Sequence, residues 1–195
     1  MQEQILEKLF ESPAKTRLLK LFLRNSKDAF SVAEIRRRTK LDSGSVKRQL
    51  RILHEINLVK ANRRKKEQVF SVNPAFAFHT ELSNLVLKSS PASKEKILKK
   101  IKGLGKIKLA ILSGIFIEPE PSHRRVDILL VGDAVSERKL NTFIQALEAE
   151  SGSEIKYSLL GTEEFEYRYR MFDKFVHDVL EKSHEKIINK LVAAE

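Results

Sequence analysis

The sequence predicts a mixed α/β protein of two domains, and three observations carry that prediction. Apolar residues recur at helical spacing through residues 12–56, then give way to two strand-like runs separated by cations. After the small, polar, Pro-containing stretch Ser89-Ser90-Pro91-Ala92-Ser93, short apolar runs alternate with amphipathic helices. Charge is also divided unequally: residues 1–90 hold 19 Lys and Arg against 9 Asp and Glu, residues 91–195 hold 18 against 17. The expected domains are therefore 1–90 and 91–195, and only the first is suited to meet a polyanion.

Ile5, Leu6, Leu9 and Phe10 make a short helical stripe. Pro13 suits the first position of a second helix, whose inner face is Leu18, Leu19, Phe22 and Leu23 and whose end lies near Asn25. Phe30 is expected in a short strand. Ser31 and Glu34 stand at capping-box spacing and open a brief helix that runs to about Thr39. Lys40 and Leu41 form a turn, after which Asp42 or Ser43 caps a further helix with Val46, Leu50 and Leu53 at i, i+4, i+7 and Ile56 extending the apolar end. At 100° per residue the outward face is Gly44, Ser45, Arg48, Arg51 and Ile52, with Lys47 at its margin. Asn57 suits the position after this helix. Residues 58–61 and 68–72 read as strands, with Arg63, Arg64, Lys65 and Lys66 in the loop between them.

Helix, turn, helix and basic hairpin in that order is the layout of a winged helix-turn-helix. The candidate DNA-binding residues are Ser43, Ser45, Lys47, Arg48 and Arg51 on the second helix and Arg63, Arg64, Lys65 and Lys66 on the hairpin. An arginine on an outward helix face can fork onto a base edge in the major groove, whereas clustered cations neutralise phosphates.

Asn73-Pro74 is expected to start the next helix, carrying Phe76, Phe78, Leu82, Leu85 and Val86 to about Lys88. Residues 94–101 form a lysine-rich helix with Ile97, Leu98 and Ile101 inward, ended by Gly103 and Gly105. The apolar runs 107–112, 126–131 and 155–160 read as strands buried on both faces, with a helix over 136–149 between the last two. Thr162, Glu163 and Glu164 open another helix, and Phe172, Phe175, Val176, Val179 and Leu180 form the last stripe.

Several chemistries are excluded or thin. With no cysteine there is no disulfide, thiol nucleophile or zinc–thiolate site. Apolar runs are too short to span a bilayer, and the amino terminus has no signal-peptide pattern, so a cytoplasmic location and no membrane partner are expected. Gly103 and Gly105 are not followed by Gly-Lys-Ser/Thr and make no phosphate loop. His177, Asp178, Glu181, His184 and Glu185 read better as the polar side of amphipathic segments than as metal ligands.

The stretch AEIRRRTKLDSGSVKRQLRILHEINLV with the hairpin after it resembles the winged-helix regulators of prokaryotes, over roughly residues 12–90. The segments LAILSGIF, RRVDILLVGD and EIKYSLLGTEEF make the second half similar to the minimal nucleotidyltransferase domains of the DNA polymerase beta superfamily, over about residues 95–185. Active members of that superfamily carry a Gly-Ser pair at the end of the first strand, then two acidic residues two apart on the next strand to hold two Mg²⁺ ions. Here those places read Ser113-Gly114 and Arg125-Val126-Asp127, so only Asp127 matches.

The resemblances imply a transcriptional regulator that binds double-stranded DNA, usually as a homodimer, with a degenerate nucleotidyltransferase-like sheet and flanking helices behind it. They imply no catalytic residue, no metal and no cofactor. They leave Ser113, Gly114, Arg125 and Asp127 as a residual pocket for a nucleotide or other small anion acting as effector. The alternatives are a working nucleotidyltransferase, as in the antitoxin of a toxin–antitoxin pair, and a nucleotide-sensing module.

Overall fold

The computed structural model describes residues 2–89, 92–118 and 126–191. It is mixed α/β with two sheets. The chain groups into two units, residues 1–91 with 145–154, and residues 92–144 with 155–195.

The first unit runs α1 (Gln2–Leu9), α2 (Pro13–Arg24), β1 (Ala29–Ser31), α3 (Val32–Thr39), α4 (Ser43–Glu55), β2 (Val59–Arg64), β3 (Glu67–Val72) and α5 (His79–Lys88). Its helix ends follow local chemistry. Ser12 caps α2 with Pro13 at the first position, and both halves of the Ser31–Glu34 capping box form at the start of α3. Asp42 caps α4 by accepting the Ser45 N–H at 2.9 Å. At the other end Asn57 takes φ 61°, with Asn57 N–H donating to His54 O at 2.9 Å and Leu58 N–H to Leu53 O at 3.0 Å. Those are the two bonds of a Schellman end, and they deliver Leu58 into the core.

The strands form an antiparallel sheet in the order β1-β3-β2. Leu18, Phe22, Ile35, Val46, Leu50, Leu53, Leu58, Phe70 and Val86 join in one buried cluster that ties the sheet to α2, α3, α4 and α5. Burying such side chains is worth about 1.5–3 kcal/mol each, and it holds short helices that would be marginal alone.

Expectations fail in several places in this unit. In the α1 segment only Leu6 and Phe10 turn inward, while Ile5 and Leu9 are exposed, because a helix this short lays only one edge on α2. Ile56 is likewise exposed, lying past the last turn of α4. Asn73-Pro74 does not open a helix: Asn73 Oδ1 accepts the Ala75 N–H in an Asx turn, and α5 begins only at His79.

The second unit contains α6 (Lys94–Ile101), β4 (Lys106–Leu112), a 3₁₀ turn (Gly114–Phe116), β5 (Ile128–Asp133), the start of α7 (Glu137–Ser151), β6 (Tyr157–Leu160), α8 (Thr162–Arg170), α9 (Lys174–Glu181) and β7 (Glu185–Asn189). Its sheet has the order β6-β5-β4-β7, with β5 antiparallel to β4 and parallel to β6. Central strands β4 and β5 are buried almost throughout, as continuous apolar runs require. Strand β7 pairs antiparallel with β4 and was not expected: Glu185-Lys186-Ile187-Ile188-Asn189 has only two apolar residues, which suffices for an edge. Leu109, Ile111, Leu129, Val131, Phe165, Val176 and Val179 form the core against α8 and α9. Phe172 is the exception to the last stripe, standing 80 % exposed in the turn between those helices. Among the described residues no helix is long and apolar enough to cross a membrane.

Candidate nucleic-acid interface

Helix α4 is amphipathic. Val46, Gln49, Leu50 and Leu53 are buried, and Lys47, Arg48 and Arg51 are exposed. Ser43 and Ser45 are half-buried at the amino-terminal end, and Ile52 is half-buried rather than outward. Among the described residues, none of Lys47, Arg48 and Arg51 enters an ion pair. These three cations therefore present their charge outward without an internal carboxylate to neutralise it.

The hairpin departs from expectation. Arg63 pairs with Gln68 and Arg64 with Glu67 in the ladder, so both belong to strand β2, and the turn is Lys65-Lys66 alone. Both turn residues have positive φ, 46° and 70°. A two-residue hairpin turn of that kind matches the right-handed strand twist but favours Asn-Gly, so two lysines hold it under strain. Because successive strand residues face opposite ways, Arg63 and Arg64 point to opposite faces of the hairpin. All four cations are exposed.

Helix α3 adds cations that the sequence reading passed over. Arg36, Arg37 and Arg38 are exposed in its last turn, where they also complement the helix dipole. The Arg38 guanidinium lies 5.0 Å from the centroid of the Phe30 ring. Arg17 Nη1 donates to Thr39 O at 3.1 Å and so closes the end of α3. The available signal was three consecutive arginines next to a predicted turn.

Ser113, Gly114 and Asp127 do come together in the second unit, but as a closed joint. Ser113 Oγ donates to Val126 O at 2.7 Å. Asp127 is fully buried; Oδ1 accepts the Ile115 N–H at 3.1 Å and Oδ2 the Lys156 N–H at 2.8 Å. Arg125, the fourth residue of the expected pocket, lies outside the described residues, as does Arg124.

Among the described residues no three His, Asp or Glu side chains converge as a metal site. His177 instead stacks on Tyr169 and on Phe172, with ring centroids 5.4 and 5.2 Å apart. Comparison with protein-family models, curated proteins and solved structures finds no match to this chain.

Proposed function

We propose that the first unit is a winged helix-turn-helix that binds double-stranded DNA with sequence preference, and that the protein is a cytoplasmic transcriptional regulator. The carrying observation is the exposed row Lys47, Arg48 and Arg51 on α4, the helix whose opposite side is anchored in the core. At 13 residues, α4 is about 20 Å long, and a helix of that size fits the major groove. Its outward arginines have the planar fork that reads guanine, and the Lys65-Lys66 tip supplies charge for backbone phosphates.

The second unit, in this reading, is a nucleotidyltransferase-like fold without the chemistry. Two-metal transfer needs paired carboxylates facing the substrate, whereas here Arg125 holds the first place of the pair and Asp127 is fully buried with a backbone amide committed to each oxygen. That commitment weighs against the enzyme reading. A homodimer completes the proposal: Phe78 and Leu85 are exposed apolar residues at α5 and suit a two-fold contact. Selection of sites from a random duplex library by the purified chain tests the reading. An enriched motif that is lost in Arg48→Ala supports it, and no enrichment refutes it.

A further inference from the structure

The second unit, which carries 18 Lys and Arg against 14 Asp and Glu, gathers lysines at the end of β4 remote from Ser113. Lys102, Lys106, Lys108 and Lys190, with Ile107 and Ile188, line a groove of about 370 Å³. The four lysines come from the end of α6, the start of β4, the β4 irregularity and the segment after β7, and they line one concavity. Lys108 is the bulged residue, since the register against β5 shifts between Ile107 and Leu109. Its carbonyl accepts the Lys190 N–H at 2.7 Å, which fastens the two lysine-bearing segments together.

The backbone here is closely packed. Gly105 packs so closely that a Cβ would stand 2.6 Å from Ala134 O, and one on Gly132 would stand 2.6 Å from Lys106 O. Ser136 N–H donates to Leu104 O at 3.0 Å and Lys139 Nζ to Gly103 O at 3.3 Å, which ties the start of α7 to the turn after α6. Among the described residues Asp133 supplies counter-charge: it lies 3.9 Å from Lys108 Nζ and accepts both the hydroxyl and the N–H of Thr162. Four lysines lining one groove repel each other, and a multiply charged anion relieves that repulsion.

We propose that this groove binds a condensed phosphate, recognised by its oxyanions alone. Lysine is a point-charge phosphate ligand, and among the described residues the lining has no arginine fork for a planar carboxylate and no aromatic ring on which a base could stack. A concave site of this volume has the scale of a small ligand; a duplex backbone is tracked by a ridge or an open stripe. The source is either inorganic polyphosphate or the phosphate tail of a nucleotide.

Calorimetric titration of the full chain, at low salt and without divalent metal, tests this with sodium tripolyphosphate and with ATP. Expected are one site per chain, affinities for the two probes within about threefold, and weakening as KCl is raised. Lys106→Gln/Lys190→Gln should weaken tripolyphosphate at least about tenfold, and Lys102→Gln should weaken it in the same direction. Lys96→Gln/Lys174→Gln, equal in charge change but outside the groove, should leave it as in the wild type. Equal losses in both double variants, ATP binding tenfold tighter than tripolyphosphate, or no tripolyphosphate binding at millimolar concentration would each overturn the proposal. So would a groove variant that lost only duplex DNA binding.

Discussion

Gly114 and Asp127 are fitted so tightly that a Cβ at position 114 would collide with Oδ1 of Asp127, and Gly114 also holds φ 51°. The glycine lets the chain turn off β4 onto the buried carboxylate, which then pins the Ile115 and Lys156 amides. A motif that resembles a substrate-binding turn serves here as a joint between β4, β5 and the segment before β6.

That joint makes a stability prediction. Gly114→Ala should destabilise the chain by more than ~1 kcal/mol, through strained φ and the collision together. Asp127→Asn should lose ~1–3 kcal/mol, since an amide NH₂ cannot accept from a backbone N–H and one donor stays buried unpaired. Urea unfolding at neutral pH measures both; an unchanged midpoint for either would contradict the joint.

What was legible in the sequence depended on how local the cause was. Ser31 with Glu34, Asp42, and Asn57 are caps whose partners lie within a few residues, and each formed where expected. Buried faces with strong periodicity, such as Val46, Leu50 and Leu53, were equally readable. Features decided by distant partners were not. Strand β7 exists because β4 offers an open edge, and Arg63 and Arg64 are strand residues because Gln68 and Glu67 extend the ladder opposite them. Likewise, the bond from the Lys156 amide to Asp127 joins residues 29 apart in sequence and follows no local pattern. The lysines of the groove are scattered from 102 to 190 and share no local pattern.

The capping box carries a pH dependence. Glu34 is held below the usual carboxylate range, first by the hydrogen bond from the Ser31 backbone and further by Ser31 Oγ, Arg37 and Arg38, against a desolvation penalty. A depressed folded-state pKa contributes stability above the unfolded value, and that contribution is lost as pH falls through the folded one. Ser31→Ala should cost about 1 kcal/mol at neutral pH. Glu34→Gln should shallow the loss of stability on acidification from about pH 5 downward, measured by urea midpoints across that range. A parallel acid limb in Glu34→Gln and wild type would contradict it.

The hairpin tip trades stability for charge. Lysines at both positive-φ positions carry roughly 1–2 kcal/mol of left-handed strain each, which Asn-Gly relieves. Lys65→Asn/Lys66→Gly should therefore raise the urea midpoint while weakening binding to every duplex and lowering the salt slope by about 2. A midpoint that falls would show the lysines are not strained.

Dimerisation is tested by mass. Analytical ultracentrifugation at micromolar concentration should give a dimer, and Phe78→Asp/Leu85→Asp should give a monomer with wild-type secondary structure. The selected site should be an inverted repeat with half-sites roughly 10 bp apart. A wild-type monomer protecting a single half-site would refute the two-fold arrangement.

The sharpest prediction separates the two basic elements. Arg48 lies exposed on α4, a helix fixed from behind by Val46, Leu50 and Leu53, so its guanidinium can be placed reproducibly against a base edge. Lys65 and Lys66 sit at a two-residue tip with flexible ammonium stems, a geometry that finds phosphates on any sequence. Arg48→Ala should thus cost ~1–3 kcal/mol on the selected site, relax preference at one base position and leave affinity for random DNA nearly unchanged. Lys65→Gln/Lys66→Gln should weaken selected and random duplexes by the same factor, because phosphate neutralisation carries no sequence information. Fluorescence anisotropy on both duplexes over a range of KCl reads all four quantities. Equal loss on random DNA from the α4 and tip variants would mean that α4 supplies charge alone, and the specific reading of DNA would then have to come from Arg36, Arg37 and Arg38 on α3.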